Sequence, residues 1–169
     1  MRFPDFLRTS VLLFGAAATA LAIVAIAGAH NDDNIPLVIL AVGWWMIAAA
    51  GGLWVGRHPE LSDGFRRVLA DARTSPTLPE LRPGAIIVNR LWMLGVFTLA
   101  TGAVAFVLPQ VPAIACGFLI AVGLAWRRQS AAVEAIEGRD GVRFYVEPTG
   151  PLAPIKLLRT PGFKRAEPR

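Results

Sequence analysis

The chain has 169 residues, 54% of them apolar, with a mean hydropathy of +0.52, a net charge of +5 and one cysteine, Cys116. That content is too apolar for an ordinary soluble domain, and a lone cysteine excludes an intrachain disulfide and paired-thiol chemistry. The basic balance does not point to nucleic acid either: all 17 Lys and Arg fall in three blocks, residues 2–8, 57–90 and 127–169, the alternation that the positive-inside rule leaves on a multi-pass membrane protein.

Residues 1–8 read as a short cytoplasmic segment, followed by a first transmembrane hairpin over residues 9–56. Its first span, residues 9–29, holds 21 uncharged residues, about 31 Å of helix at 1.5 Å per residue. A hydrocarbon core of about 30 Å accommodates one such crossing. Arg2, Arg8 and the tripeptide Ala27, Gly28, Ala29 also have the shape of a signal peptide, but the apolar run exceeds the usual length of roughly 7–15 residues. The acidic spacer His30, Asn31, Asp32, Asp33, Asn34 comes next. It offers cation ligands, yet all sit in one short loop without a second cluster, and a polar turn between helices accounts for them. The second span, residues 35–56, opens near Pro36, a good first-turn residue. Trp54 lies towards its inner end, where interfacial aromatics collect.

The basic cytoplasmic loop, residues 57–90, contains an expected short amphipathic helix capped by Ser62 or Asp63 and running to about Arg73. Phe65, Val68, Leu69 and Ala72 share one face at helical spacing. Arg66, Arg67 and Arg73 flank that face, the layout of an interfacial helix on an anionic leaflet; packing of the same helix on the inner end of the bundle is the alternative. Pro76, Pro79 and Pro83 then make an extended connector.

The second hairpin, residues 91–126, carries no charged residue. Its 36 residues are too long for one crossing, and Pro109 and Pro112 divide it. The third span is therefore expected at about residues 91–108, with a start as early as Ala85 left open, and the fourth at residues 112–126, with Arg127 and Arg128 reaching the headgroups. In the basic cytoplasmic tail, residues 127–169, the helix is expected to continue to Glu137 and stop at Gly138 as the C′ residue. Asp140 and Gly141 would form a tight turn into a strand over residues 142–147 with Val142, Phe144 and Val146 on one face. Residues 155–158 would return as a second strand. An isolated hairpin is marginal in water, so it needs the inner loop, a second copy or the membrane to dock on. Phe144, Tyr145 and Val146 are the expected docking surface for a partner.

The fold class expected is thus an all-α integral membrane protein with four transmembrane helices as two hairpins, a short cytoplasmic interfacial helix and a cytoplasmic tail with a candidate β-hairpin. Four crossings put all 17 basic residues and both termini on the cytoplasmic side of a bacterial inner membrane. The spans hold no ionisable side chain of the kind that marks proton relays and ion paths, and His30 and His58 fall at opposite faces, unlike a pair of haem ligands. No cofactor, metal or catalytic group is expected. Small-xxx-small pairs (Gly52 with Gly56, Thr98 with Gly102, Gly117 with Ala121, Gly15 with Thr19) predict close helix packing within the bundle or in a homodimer. Arg66, Arg67, Arg73, Arg127 and Arg128 are the expected contacts for anionic headgroups. The leading functional expectation is a scaffold, accessory subunit or assembly partner without a catalytic site. A passive channel or facilitator for a small neutral or apolar solute is the second, and a membrane enzyme built on His58, Glu60 and Asp63 the third.

Overall fold

A computed structural model describes residues 1–31, 34–57, 63–74, 83–147 and 155–161. The chain is mostly helical, with four helices long and apolar enough to cross a membrane and a small sheet near its carboxyl end. In chain order the elements are α1 (Phe3–Asn31), α2 (Ile35–Val55), α3 (Asp63–Ala70), β1 (Arg73–Thr74), α4 (Pro83–Val104), α5 (Gln110–Trp126), α6 (Gln129–Asp140), β2 (Val142–Val146) and β3 (Leu157–Pro161). They belong to two compact units. One comprises Met1–Arg8, Pro59–Arg90 and Arg128–Arg169; the other comprises Thr9–His58 and Leu91–Arg127.

The helix ends follow local chemistry. The Asn34 side chain accepts the Leu37 N–H at 3.1 Å and caps α2, with proline in the first turn. Pro83 opens α4, earlier than the third span was expected to begin, because proline lacks only an N–H that the first turn leaves unpaired. This helix ends at Val104, and turns replace the expected helix up to Leu108. The fourth span starts at Gln110, with Pro112 absorbed into its first turn. The expected continuation beyond Trp126 is present: Arg127 and Arg128 form a turn between α5 and α6 but keep right-handed helical dihedrals, so Gln110–Asp140 runs as one 31-residue helical stretch, the fourth of membrane length. It stops at Gly141 and not at Gly138. Gly141 takes φ 63°, the left-handed conformation that glycine adopts without a Cβ penalty, and its N–H bonds the Glu137 carbonyl.

The basic unit has a core of its own. Phe3, Phe6 and Leu7 from the first turns of α1 are buried with Ile86, Val133, Val142, Phe144, Val146 and Leu157. The expected hairpin forms, with β2 antiparallel to β3 from Val142 opposite Pro161 to Val146 opposite Leu157. Its third strand comes from the segment between α2 and α4: β1 pairs parallel with β3, Arg73 opposite Leu158, in the sheet order β1-β3-β2. The second strand sits two residues later than expected. The simple alternation expected of β2 also fails, since Tyr145 is buried along with Val142, Phe144 and Val146. The amino-terminal segment accounts for this edge: Arg2 bridges Tyr145 and the Val146 N–H donates to the Met1 carbonyl at 3.0 Å.

Candidate functional site

In the basic unit, α6 directs Glu137 into the protein, where it is 6% exposed. Its two oxygens have separate tasks. Oε2 receives Arg2 Nη2 at 2.6 Å, and Oε1 accepts the Phe144 N–H at 2.8 Å. A short, charge-assisted bond of this kind is stronger than a neutral one. It raises the Arg2 guanidinium above its ordinary value, the hydrogen bond to Glu137 outweighing the cost of burial. Arg8 and Glu134 form a second pair at 2.9 Å near the surface, where water screens it to little net worth. One carboxylate therefore ties the amino terminus, α6 and the edge of the sheet together.

The basic residues expected at headgroups lie on the outside of their units. Arg66 and Arg67 on α3, Arg73 in β1, and Arg127 and Arg128 are all exposed. Val68 and Leu69 of α3, with Ala72 just beyond it, pack on the core of the basic unit. The apolar face of this short helix is therefore spent on intrachain packing, with the basic face left outward. Phe144, Tyr145 and Val146, expected as a docking surface, are 4%, 6% and 1% exposed. They form the interior of the unit, because the amino-terminal segment and the first turns of α1 already cover them. The residues that do this covering, Phe3, Phe6 and Leu7, stand at the i, i+3, i+4 spacing of a helix face, a legible signal that the sequence reading passed over.

The apolar unit is organised by glycine. Its densest packing runs between α2 and α5, one from each half of the chain. A Cβ on Gly52 would come within 2.6 Å of the Ala121 carbonyl oxygen and 2.9 Å of its Cα, and one on Gly56 within 2.7 Å of the Leu124 carbonyl oxygen. These backbones touch because no side chain stands between them. Gly117 lies flat against the Trp44 indole, which a Cβ would strike. The clearance lets Trp44 Nε1 donate to the Ile114 carbonyl at 3.1 Å, while Trp45 Nε1 donates to Ala113 at 2.8 Å. Trp44 also meets Phe118 edge-on at 5.5 Å. Thr98 and Gly102 behave differently. Nothing lies within 4 Å of a Cβ built on Gly102, and the Thr98 hydroxyl donates to Leu94 of its own helix. Gly15 likewise has open space, and Thr19 bonds back to it at 2.9 Å.

The open space beside Gly15 is part of a groove of about 420 Å³ between α1 and α5, lined among others by Cys116, Leu119 and Trp45 and reaching Arg127. Gly123 approaches Val11 and Phe14, whereas Ala113 clusters with Ala25, so α1 and α5 run antiparallel. Val11 and Arg127 therefore mark one end of the groove, and Ala22 and Cys116 the other.

No three His, Cys, Asp or Glu side chains gather among the described residues. Asp32 and Asp33 of the polar turn expected between the first two spans, and His58 and Glu60 of the enzyme alternative, lie outside those residues. Family models, curated proteins and solved structures yield no match to this chain.

Proposed function

We propose that the chain is a multi-pass protein of the bacterial inner membrane without a catalytic site, with two helical hairpins and a basic cytoplasmic unit, that acts as a scaffold or assembly partner. The observation that carries this reading is the joining of three sequence-distant basic segments into one folded unit. The amino terminus bonds β2, and the inner loop supplies a strand to the sheet formed by the tail. Segments that hydrogen-bond to one another occupy the same side of a bilayer. An even number of crossings then separates each from the next, which supports α1 with α2 and α4 with α5 as the two crossing pairs.

Further support comes from the parallel course of α2 and α5, whose contacts advance together from Trp45 with Ala113 to Gly56 with Leu124. Large apolar residues on the outside add to it: Leu12, Leu40 and Leu99 are more than 70% exposed. Patches of that kind on a soluble monomer would invite aggregation, while lipid covers them without cost. Arg66, Arg67 and Arg73 on the basic unit are suited to anionic headgroups or an acidic partner surface.

The test is purification of the tagged full chain in mild detergent from wild type and from an Arg66→Glu/Arg67→Glu variant. A stoichiometric protein that leaves with the charge reversal supports the scaffold. Absence of any partner, together with solute flux above that of empty vesicles in proteoliposomes, would replace it with the facilitator.

A further inference from the structure

We infer that the groove between α1 and α5 is a binding site for one anionic phospholipid, its acyl chain lying on the groove floor and its phosphate at Arg127. This rests on the reading above, that the apolar unit spans the bilayer. The walls select the chain. Val11, Ala18, Ala22, Leu119 and Ile120 present hydrocarbon, and Gly15, with nothing within 4 Å of a Cβ built on it, leaves the depth that a flexible methylene chain occupies. Its volume of about 420 Å³ falls in the range of roughly 300–1,000 Å³ usual for small-molecule sites. From Cys116 to Arg127 the groove follows eleven residues of helical rise, about 16 Å, which is close to half of a hydrocarbon core of about 30 Å. The site is therefore one leaflet deep.

Charge chooses among the lipids. Among the described residues that line the groove, the ionisable groups are Arg127, at the end beside Val11, and the Cys116 thiol at the other. A guanidinium on the cytoplasmic side favours a headgroup with net negative charge over a zwitterionic one. Thr19 is already committed to its own helix, so the interior of the groove offers a polar ligand little. An amphiphile with one charged end matches both features, whereas a partner helix would match the walls and leave Arg127 without a counter-charge.

The experiment is native mass spectrometry of the full chain released from detergent with added phosphatidylglycerol or phosphatidylcholine of equal chain length. Wild type should retain one phosphatidylglycerol with about tenfold preference over phosphatidylcholine. Arg127→Gln should remove the preference. Gly15→Leu, which fills the groove at a position with open space, should remove retention of both lipids. Arg143→Gln, an exposed charge in the basic unit, should change neither. Equal retention of the two lipids by wild type, or selective retention that survives Gly15→Leu, would overturn the proposal. A dimer mass without bound lipid would also overturn it and give the groove to a second copy. Carbonate extraction of membranes run in parallel separates the premises: a chain released by carbonate sinks the membrane reading itself, while a retained chain without selectivity sinks only the lipid site.

Discussion

Adjacent glycines in α2 make an internal control for the helix packing. A Cβ at Gly52 meets the Ala121 carbonyl oxygen at 2.6 Å, its Cα at 2.9 Å and Leu124 Cβ at 3.0 Å. Two of these atoms are backbone of the facing helix, so no rotamer change relieves the contact and α5 must move away. A Cβ at Gly51 meets nothing within 4 Å. Gly52→Ala should destabilise the apolar unit by about 1–3 kcal/mol, the cost of inserting a methyl group into a closed contact. Gly51→Ala should be neutral or stabilising by up to about 1 kcal/mol, since alanine loses less backbone freedom in a helix. The pair should therefore differ by about 2 kcal/mol, between the extremes of those two ranges. Reversible unfolding in mixed micelles at increasing SDS, followed by tryptophan fluorescence, reads the difference directly. Equal stabilities of the two variants would show that α2 and α5 do not approach as closely as described.

Other outcomes follow from the same geometry. Glu137→Ala should cost about 1–3 kcal/mol by leaving the Phe144 N–H and a half-buried Arg2 without their acceptor, and hydrogen exchange at Phe144 should accelerate; Glu137→Gln, which keeps an oxygen for Phe144, should lose less. Trp45→Phe removes the bond to Ala113 and should cost about 0.6–1.7 kcal/mol, the range for such bonds between helices in lipid, in the same micelle titration. Arg73→Cys with Leu158→Cys, in a Cys116→Ser background, should oxidise to an intrachain disulfide in membrane vesicles, because neighbouring strand positions lie within disulfide reach of about 4.4–6.8 Å between Cα atoms. A pair that stays reduced would remove the strand from the inner loop and with it the main support for one-sided basic segments.

What could be read from the sequence was set by signal length. The long apolar runs announced four helices, and Pro36, Pro109 and Pro112 located two of their starts to within a few residues. Gly52, Gly56, Gly117 and Ala121 fall at the α2–α5 contact, as small-residue spacing suggests, but the same spacing at Thr98 and Gly102 faces open space, because Ala- and Gly-rich helices produce such pairs whether or not a neighbour exists. The strand Arg73–Thr74 has only two residues and no periodicity to detect. Its existence depends on β3, which lies more than eighty residues downstream. Gly138 and Gly141 both follow a helical pattern, and only the backbone reveals which of them turns left-handed. The largest miss was Phe144, Tyr145 and Val146. An apolar strand in a basic tail looks available to a partner unless Phe3, Phe6 and Leu7 are recognised as the face that takes it.

The ion pair between Arg2 and Glu137 joins residues 135 apart in sequence. During synthesis at about 5–20 residues per second, Arg2 waits about 7–27 s before its carboxylate exists, and the sheet it borders comes later still. In that interval Phe3, Phe6 and Leu7 form an apolar cluster with no core to enter, and β1 has no partner strand. The basic unit can thus close only after β3 has been made, when every helix of the chain already exists. A chain interrupted before β3 would keep its apolar helices and display an unfinished, sticky face, a natural mark for proteases that remove incomplete products.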